Sequence, residues 1–184
     1  MTTTISVRQL ATTAMMTALL VVLGLFPGIP LGLIPVPIVL QNLGIMLVGA
    51  LLRARFGTIS VGLLLLMAFI GLPVLSGGRG GAAVFFGPTG GYLIGWLLAP
   101  ALISGLSTIW HARETHGWWR ELVIILLIGV GLVDLIGSLW LAGQSHMTLS
   151  TALLSNAAFL PGDILKAIIA VLLARRLRPV LKLA

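Results

Sequence analysis

The sequence has no cysteine, a single tyrosine and only four acidic residues among 184. Without cysteine, disulfides, thiolate metal sites and cysteine nucleophiles are excluded. Charged residues make up 8% of the chain against 59% hydrophobic, too little polar side chain to coat a water-soluble globule of this size. There is no Walker motif, no catalytic triad and no metal-ligand cluster. The chain is therefore not expected to hydrolyse ATP, to be an enzyme, or to hold a metal or cofactor. The eleven basic residues give a net charge of +7, but they are scattered in short clusters between apolar runs. With no basic face interleaved with aromatics, nucleic acid is not an expected partner. No internal repeat of fixed period and no separating linker occurs, so residues 1–184 read as one integral membrane domain.

What is abundant is apolar length. A mean hydropathy of +1.17 makes the bilayer the natural solvent. Six apolar runs approach the roughly 20 residues that a helix needs to cross about 30 Å of hydrocarbon. They cover about 8–26, 36–52, 57–74, 90–110, 121–142 and 161–178, which predicts an all-α polytopic membrane protein. No small-residue cleavage site follows the first run, where the chain reads Phe26, Pro27, Gly28, Ile29, Pro30, so that run is expected to remain as a span. Placing the N-terminus in the cytoplasm puts Arg8, Arg53, Arg55, Arg113, Arg120, Arg175, Arg176, Arg178 and Lys182 inside, with Arg79 alone outside and Lys166 within span six. The positive-inside rule then predicts that both termini are cytoplasmic. His111 and His116 share the inner loop with Arg113, Glu114, Trp118 and Trp119, which reads as a solvated interfacial segment.

The unusual sequence lies in the outer connections and just inside them. The first, FPGIPLGLIPVPIVLQN, carries Pro27, Pro30, Pro35 and Pro37, which prevent regular helix, and ends on Gln41 and Asn42. Gln41 is either a ligand contact or a hydrogen bond between two helices. The second, SGGRGGAAVFFGPTGGY, surrounds Arg79 with glycines, among them Gly78, and adds Phe85, Phe86 and Tyr92. Glycine-rich backbone lets main-chain N–H groups approach a ligand, and the aromatics supply an apolar wall with one hydroxyl. A floppy loop is the alternative. In FLPGDILKAIIA, Pro161 suits a first helical turn, with Asp163 near the N-terminal dipole and Lys166 on the same face one turn deeper. Counting from Arg175 puts Lys166 about 14 Å and Asp163 about 18 Å from the inner interface. Ionisable groups at such depth cost about 2.5 to 3.5 kcal/mol each, so they are expected to face the bundle interior as a ligand site or a structural ion pair. Asp134 in span five has no local partner; a charge pairing with Lys166 or Arg79, a cap at a helix contact and a ligand contact are the alternatives. On span one, Ala11, Ala14 and Ala18 form a small-residue face suited to close helix approach, either within the chain or by a partner.

The strings PVPIVLQNLGIMLVGALL, GGRGGAAVFFGPTGGYLIGW and FLPGDILKAIIA resemble the BioY family, the biotin-specific S components of energy-coupling-factor (ECF) transporters, over nearly the whole chain. The resemblance implies a six-helix S-component bundle in a prokaryotic cytoplasmic membrane, with the loop between spans three and four over the site. It implies biotin as ligand, Asp163 and Lys166 at its ureido end, and Tyr92 in the same cavity. It also implies that Ala14 and Ala18 face the transmembrane coupling subunit, EcfT, and that two partner ATPases drive uptake. Val39 stands where relatives often carry Thr. On this reading Phe85 and Phe86 would meet the hydrocarbon part of biotin, Lys166 or Gln41 its carbonyl, and Arg79 or nearby backbone N–H groups its carboxylate. A proton-coupled secondary transporter using Asp134 and Asp163 is the rival reading, although such proteins usually have more helices or a repeat.

Overall fold

The first helix starts where the sequence supplies a cap: Ser6 Oγ accepts from Gln9 N at 3.2 Å and Gln9 Oε1 accepts from Ser6 N at 3.0 Å, a reciprocal capping box. The computed structural model describes residues 6–30, 32, 35–114 and 117–181; Lys182 and His116 lie outside them. In chain order the helices are α1 (Val7–Gly24), α2 (Gln41–Leu51), α3 (Ala54–Phe69), α4 (Ala82–Phe86), α5 (Gly90–Ile109), α6 (Trp118–Ile125), α7 (Val133–Gln144), α8 (Leu149–Asn156) and α9 (Leu160–Leu181). A π-helical stretch, Leu126–Leu132, joins α6 to α7 into one 27-residue rod. Among the described residues the β pairing consists of two isolated bridges, Ile29 with Ile38 and Leu75 with Arg79.

Among the described residues three stretches are long and apolar enough to cross a bilayer: α1, α5 and the α6–α7 rod. The pair α8–α9, bent by 54°, makes a fourth, and the apolar α2 and α3 are shorter. These six helical segments stand where six spans were expected, and the differences lie at their ends. The second begins at Gln41 rather than at 36, because the proline-bounded strip before it is extended: Ile29 and Ile38 exchange both backbone hydrogen bonds at 2.9 Å. The third ends at Phe69 rather than 74, with Gly71 at φ +103° and Pro73 just beyond. Short helices α4 and α8 occupy connections read as loops.

Helices α5 and α2 form the middle of the bundle. The former packs on α7, α2 and α3, and the latter also on α9. Close approach of α5 and α7 depends on Gly137, where a Cβ would come within 2.3 Å of the Tyr92 ring. Helix α1 flanks the bundle against α3 and α2. Its buried face is polar as well as apolar: Thr17 Oγ1 meets Ser60 Oγ at 3.0 Å, and Ser60 Oγ reaches the Thr13 carbonyl at 3.3 Å. Ala11, Ala14 and Ala18 are exposed on the opposite face, so they do not pack within the chain.

The expected inner end is tied by charge. Glu121 is fully buried and is held by Arg178 and by Arg175, whose Nε lies 3.2 Å from Oε2. Arg178 also donates to the Ala50 carbonyl at 3.0 Å, while Arg113 donates to the Gly49 and Leu52 carbonyls at 3.3 and 3.0 Å. The C-terminal carbonyls of α2 thus find cationic donors, which also complement the helix dipole. The inner loop is therefore not wholly solvated as expected: Arg113 turns inward, and burial, then the nearby Arg178 charge, holds its guanidinium below the usual arginine range.

Candidate functional site

A cavity opens where α2, α5, α7 and α9 meet the connection after α3. Its empty space, mouth included, is about 620 Å³. Much of the wall is apolar. Val36 through Val39 supply an extended strip, α5 contributes Leu93 and Trp96, α7 contributes Val133, and Phe159 closes from the turn before α9.

The polar groups converge from separate elements. Lys166 Nζ lies 2.8 Å from Asp163 Oδ1, one turn apart on α9, with both side chains buried. Asn42 Nδ2 donates to the same Oδ1 at 3.2 Å. Among the described residues no hydrogen bond reaches Asp163 Oδ2, and Lys166 has this one polar contact, so two ammonium protons remain available. Tyr92 donates its hydroxyl to Asn156 Oδ1 at 2.7 Å. Asn156 in turn donates to Ser138 Oγ at 2.7 Å and to the Asp134 carbonyl at 3.1 Å, which braces α5, α7 and α8 behind the wall.

Of the residues singled out from sequence, Gln41, Arg79, Tyr92, Asp163 and Lys166 line this cavity; Gly78, Phe85 and Phe86 do not. The aromatic wall expected from the glycine loop forms differently because Ala82–Phe86 is helical. At about 100° per residue only one side of that turn faces inward, and Val84 takes it. Phe85 packs edge-on against Phe69, centroids 5.3 Å apart, and Phe86 is 68% exposed. Gly78, at φ +70°, forms the tip of the tight Leu75–Arg79 turn with Gly77 at φ +74°. That turn sets Arg79 on the wall, its Nε donating to the Ser76 carbonyl at 3.1 Å.

Gln41 lines the cavity, but its amide is already committed. Nε2 donates to the carbonyls of Leu20 and Val74 at 3.0 and 2.8 Å, and Oε1 accepts from Ser76 N at 2.9 Å. Both amide protons are spent, so Gln41 has none to give a ligand carbonyl. Helix α1 comes close enough for this because Gly24 has no Cβ; one there would sit 2.1 Å from Val74 O and 2.6 Å from Gln41 Nε2. Asp134 also lines the cavity and forms an ion pair with neither Lys166 nor Arg79.

Sequence reading passed over Asn42, Trp96 and Phe159 as wall residues, although each left a trace. Asn42 adjoins Gln41 at the start of α2, Trp96 lies one turn beyond Tyr92 on α5, and Phe159 immediately precedes the LPGD turn. The arrangement pairs an apolar body with a few fixed polar groups, which suits reversible capture of a small molecule.

The sequence matches the model of the BioY family over residues 1–183. It is 52% identical over 178 residues to the biotin transporter BioY of Lactococcus lactis subsp. cremoris, covering 97% of this chain and 94% of that one. The biotin transporter BioY of Rhizobium etli is 42% identical, with 92% of each chain covered. A solved structure described as the S-component for biotin from an ECF-type ABC transporter superposes with a TM-score of 0.92 at 53% identity, covering 94% of this chain and 92% of the other. Fold, cavity and sequence agree, and the chain belongs to the BioY family.

Proposed function

We propose that this chain is the substrate-capturing S component of an ATP-driven vitamin uptake transporter, and that its cavity binds biotin. The observation that carries the reading is the buried Asp163–Lys166 pair on an otherwise largely apolar wall, with one carboxylate oxygen and two ammonium protons unspent. A ureido ring offers two N–H donors and one carbonyl acceptor. Asp163 accepts from one N–H and Lys166 donates to the carbonyl, so the pair meets the carbonyl and one of the two donors. The thioether ring and aliphatic chain lie against Trp96, Phe159 and the extended strip Val36–Val39, and Arg79 near the mouth meets the carboxylate.

The distribution of Lys and Arg favours a multi-pass protein of the cytoplasmic membrane with both termini inside and the cavity opening outward. Transport requires partners: a transmembrane coupling subunit of the EcfT type and two ATPases that supply the energy. The exposed Ala11, Ala14 and Ala18 stripe on α1 offers a surface on which the coupling subunit's helix approaches closely.

Equilibrium binding to the purified protein in detergent tests the reading, by tryptophan fluorescence, since Trp96 is on the wall, or by calorimetry. Tight biotin binding without ATP is expected, with none for thiamine or riboflavin. Folded protein that binds no biotin would overturn the assignment.

A further inference from the structure

The cavity holds a carboxylate that the capture scheme above leaves unused. Asp134 stands in the first turn of α7, is 9% exposed and lines the cavity, and its Oδ2 is buried without a hydrogen-bond partner. Among the described residues no bond reaches its other carboxylate oxygen either. Lys166 makes its ion pair with Asp163 at 2.8 Å, and among the described residues neither Lys166 nor Arg79 forms one with Asp134. Its backbone, by contrast, is fixed: the Asp134 carbonyl accepts from Asn156, which Tyr92 holds. An acid in a bilayer span without a partner is costly, and such groups face substrate paths by default. Here the side chain faces a cavity from a different helix than Asp163.

The two N–H bonds of a cyclic urea diverge on opposite flanks of its carbonyl, so a single carboxylate cannot accept both. With Lys166 at the carbonyl and Asp163 on one flank, the second N–H needs another acceptor. We propose that Asp134 is this acceptor and is a specificity-determining residue of the site, selecting a ring with two N–H groups over one with a single donor. The proposal rests on the biotin reading. Asn42 Oδ1, which is also buried and unpartnered, is the competing acceptor, but it is neutral and lies beside Asp163 on the flank already served. A site built to bond an N–H rejects the analogue that lacks it, because its own buried acceptor is then left unpaired.

Binding of biotin, and of biotin methylated at either ring nitrogen, is measured on purified wild type, Asp134→Ala and Asn42→Ala, with the melting temperature of each ligand-free protein. In Asp134→Ala biotin is expected to bind on the order of 10- to 100-fold more weakly. Methylation of one nitrogen, and not the other, should cost the variant nothing further, whereas both methylations weaken binding to wild type. The ligand-free melting temperature should hold or rise, because an unpartnered buried acid has been removed. Unchanged biotin affinity in Asp134→Ala overturns the proposal, as does retention of both methylation penalties, a lost penalty in Asn42→Ala instead, or a joint fall of melting temperature and affinity for all three ligands. Wild type that binds no biotin overturns the biotin reading as well.

Discussion

Substitution at Asp163 has two separable consequences. Asp163→Asn replaces the charged acceptor assigned to biotin by a neutral amide with one oxygen in place of two, and leaves Lys166 buried without its counter-charge, a loss that costs about 3 to 5 kcal/mol when one member of a buried pair is removed. Biotin affinity should fall on the order of 100-fold or more, together with a clear drop in melting temperature. In the double variant Asp163→Asn with Lys166→Met the melting temperature should recover while binding does not, and calorimetry beside a thermal melt reads both. A double variant that binds as wild type does would remove the pair from the site. This pair was legible in the sequence because charge so deep in an apolar span demands an explanation, and i, i+3 spacing supplies one. The chemistry of Gln41 was not legible. An amide at the start of a span reads the same whether it faces a ligand or main chain, and only the positions of the Leu20, Val74 and Ser76 backbone groups decide between them. For the same reason Phe85 and Phe86 misled: composition announces an apolar wall, but a single turn of helix determines which residue forms it.

Between α6 and α7 lies the π-helical stretch Leu126–Leu132, a feature that hydropathy cannot reveal. A π turn adds in effect one residue to a helix and shifts the face presented by everything after it, which is why such turns gather at functional sites. The first residues beyond it, Val133 and Asp134, both line the cavity. Inserting one alanine between Leu132 and Val133 should leave the π stretch in place and swing both residues by about 100° relative to α6. The expected outcome is loss of biotin binding with far-UV circular dichroism still helical, and retained binding would show that the register of α7 is set by α5 alone. The helical segments were legible from apolar length, and the late start of α2 follows from Pro35 and Pro37, which cannot donate a backbone hydrogen bond. The π turn left no comparable trace, since Leu, Ile, Val and Gly suit either helix type; within it Gly129 admits the Met46 side chain, 2.9 Å from where a Cβ would stand.

The molecule as a whole divides its labour between its two ends and one flank. Helix α9 runs from Asp163 and Lys166 at the cavity to Arg175 and Arg178 at the opposite end, where they clasp Glu121 on α6. Flank α1 buries its threonines and leaves its alanine stripe bare. Replacing both Ala14 and Ala18 with Trp should abolish biotin uptake in cells supplied with the partner subunits while leaving biotin binding by the purified protein unchanged. Loss of binding too would assign the stripe to folding rather than to a partner. The gathering of the unusual residues at one end of the bundle was legible from their places beside the apolar runs, while the aim of the alanines away from the bundle was not, because helical spacing defines a face without saying what it meets. The Gln41 brace has a consequence for how such a chain changes over evolutionary time. Its three bonds end on main-chain atoms of positions 20, 74 and 76, and every residue type supplies a carbonyl there, with any residue but proline supplying the N–H. The brace therefore sets no side chain at those three positions, which answer instead to their own surroundings: Leu20 and Val74 are buried in the core and Ser76 Oγ donates to the Phe26 carbonyl at 2.9 Å. Selection on the brace concentrates on position 41 and on the glycine at position 24, whose bare backbone keeps the three segments within its reach.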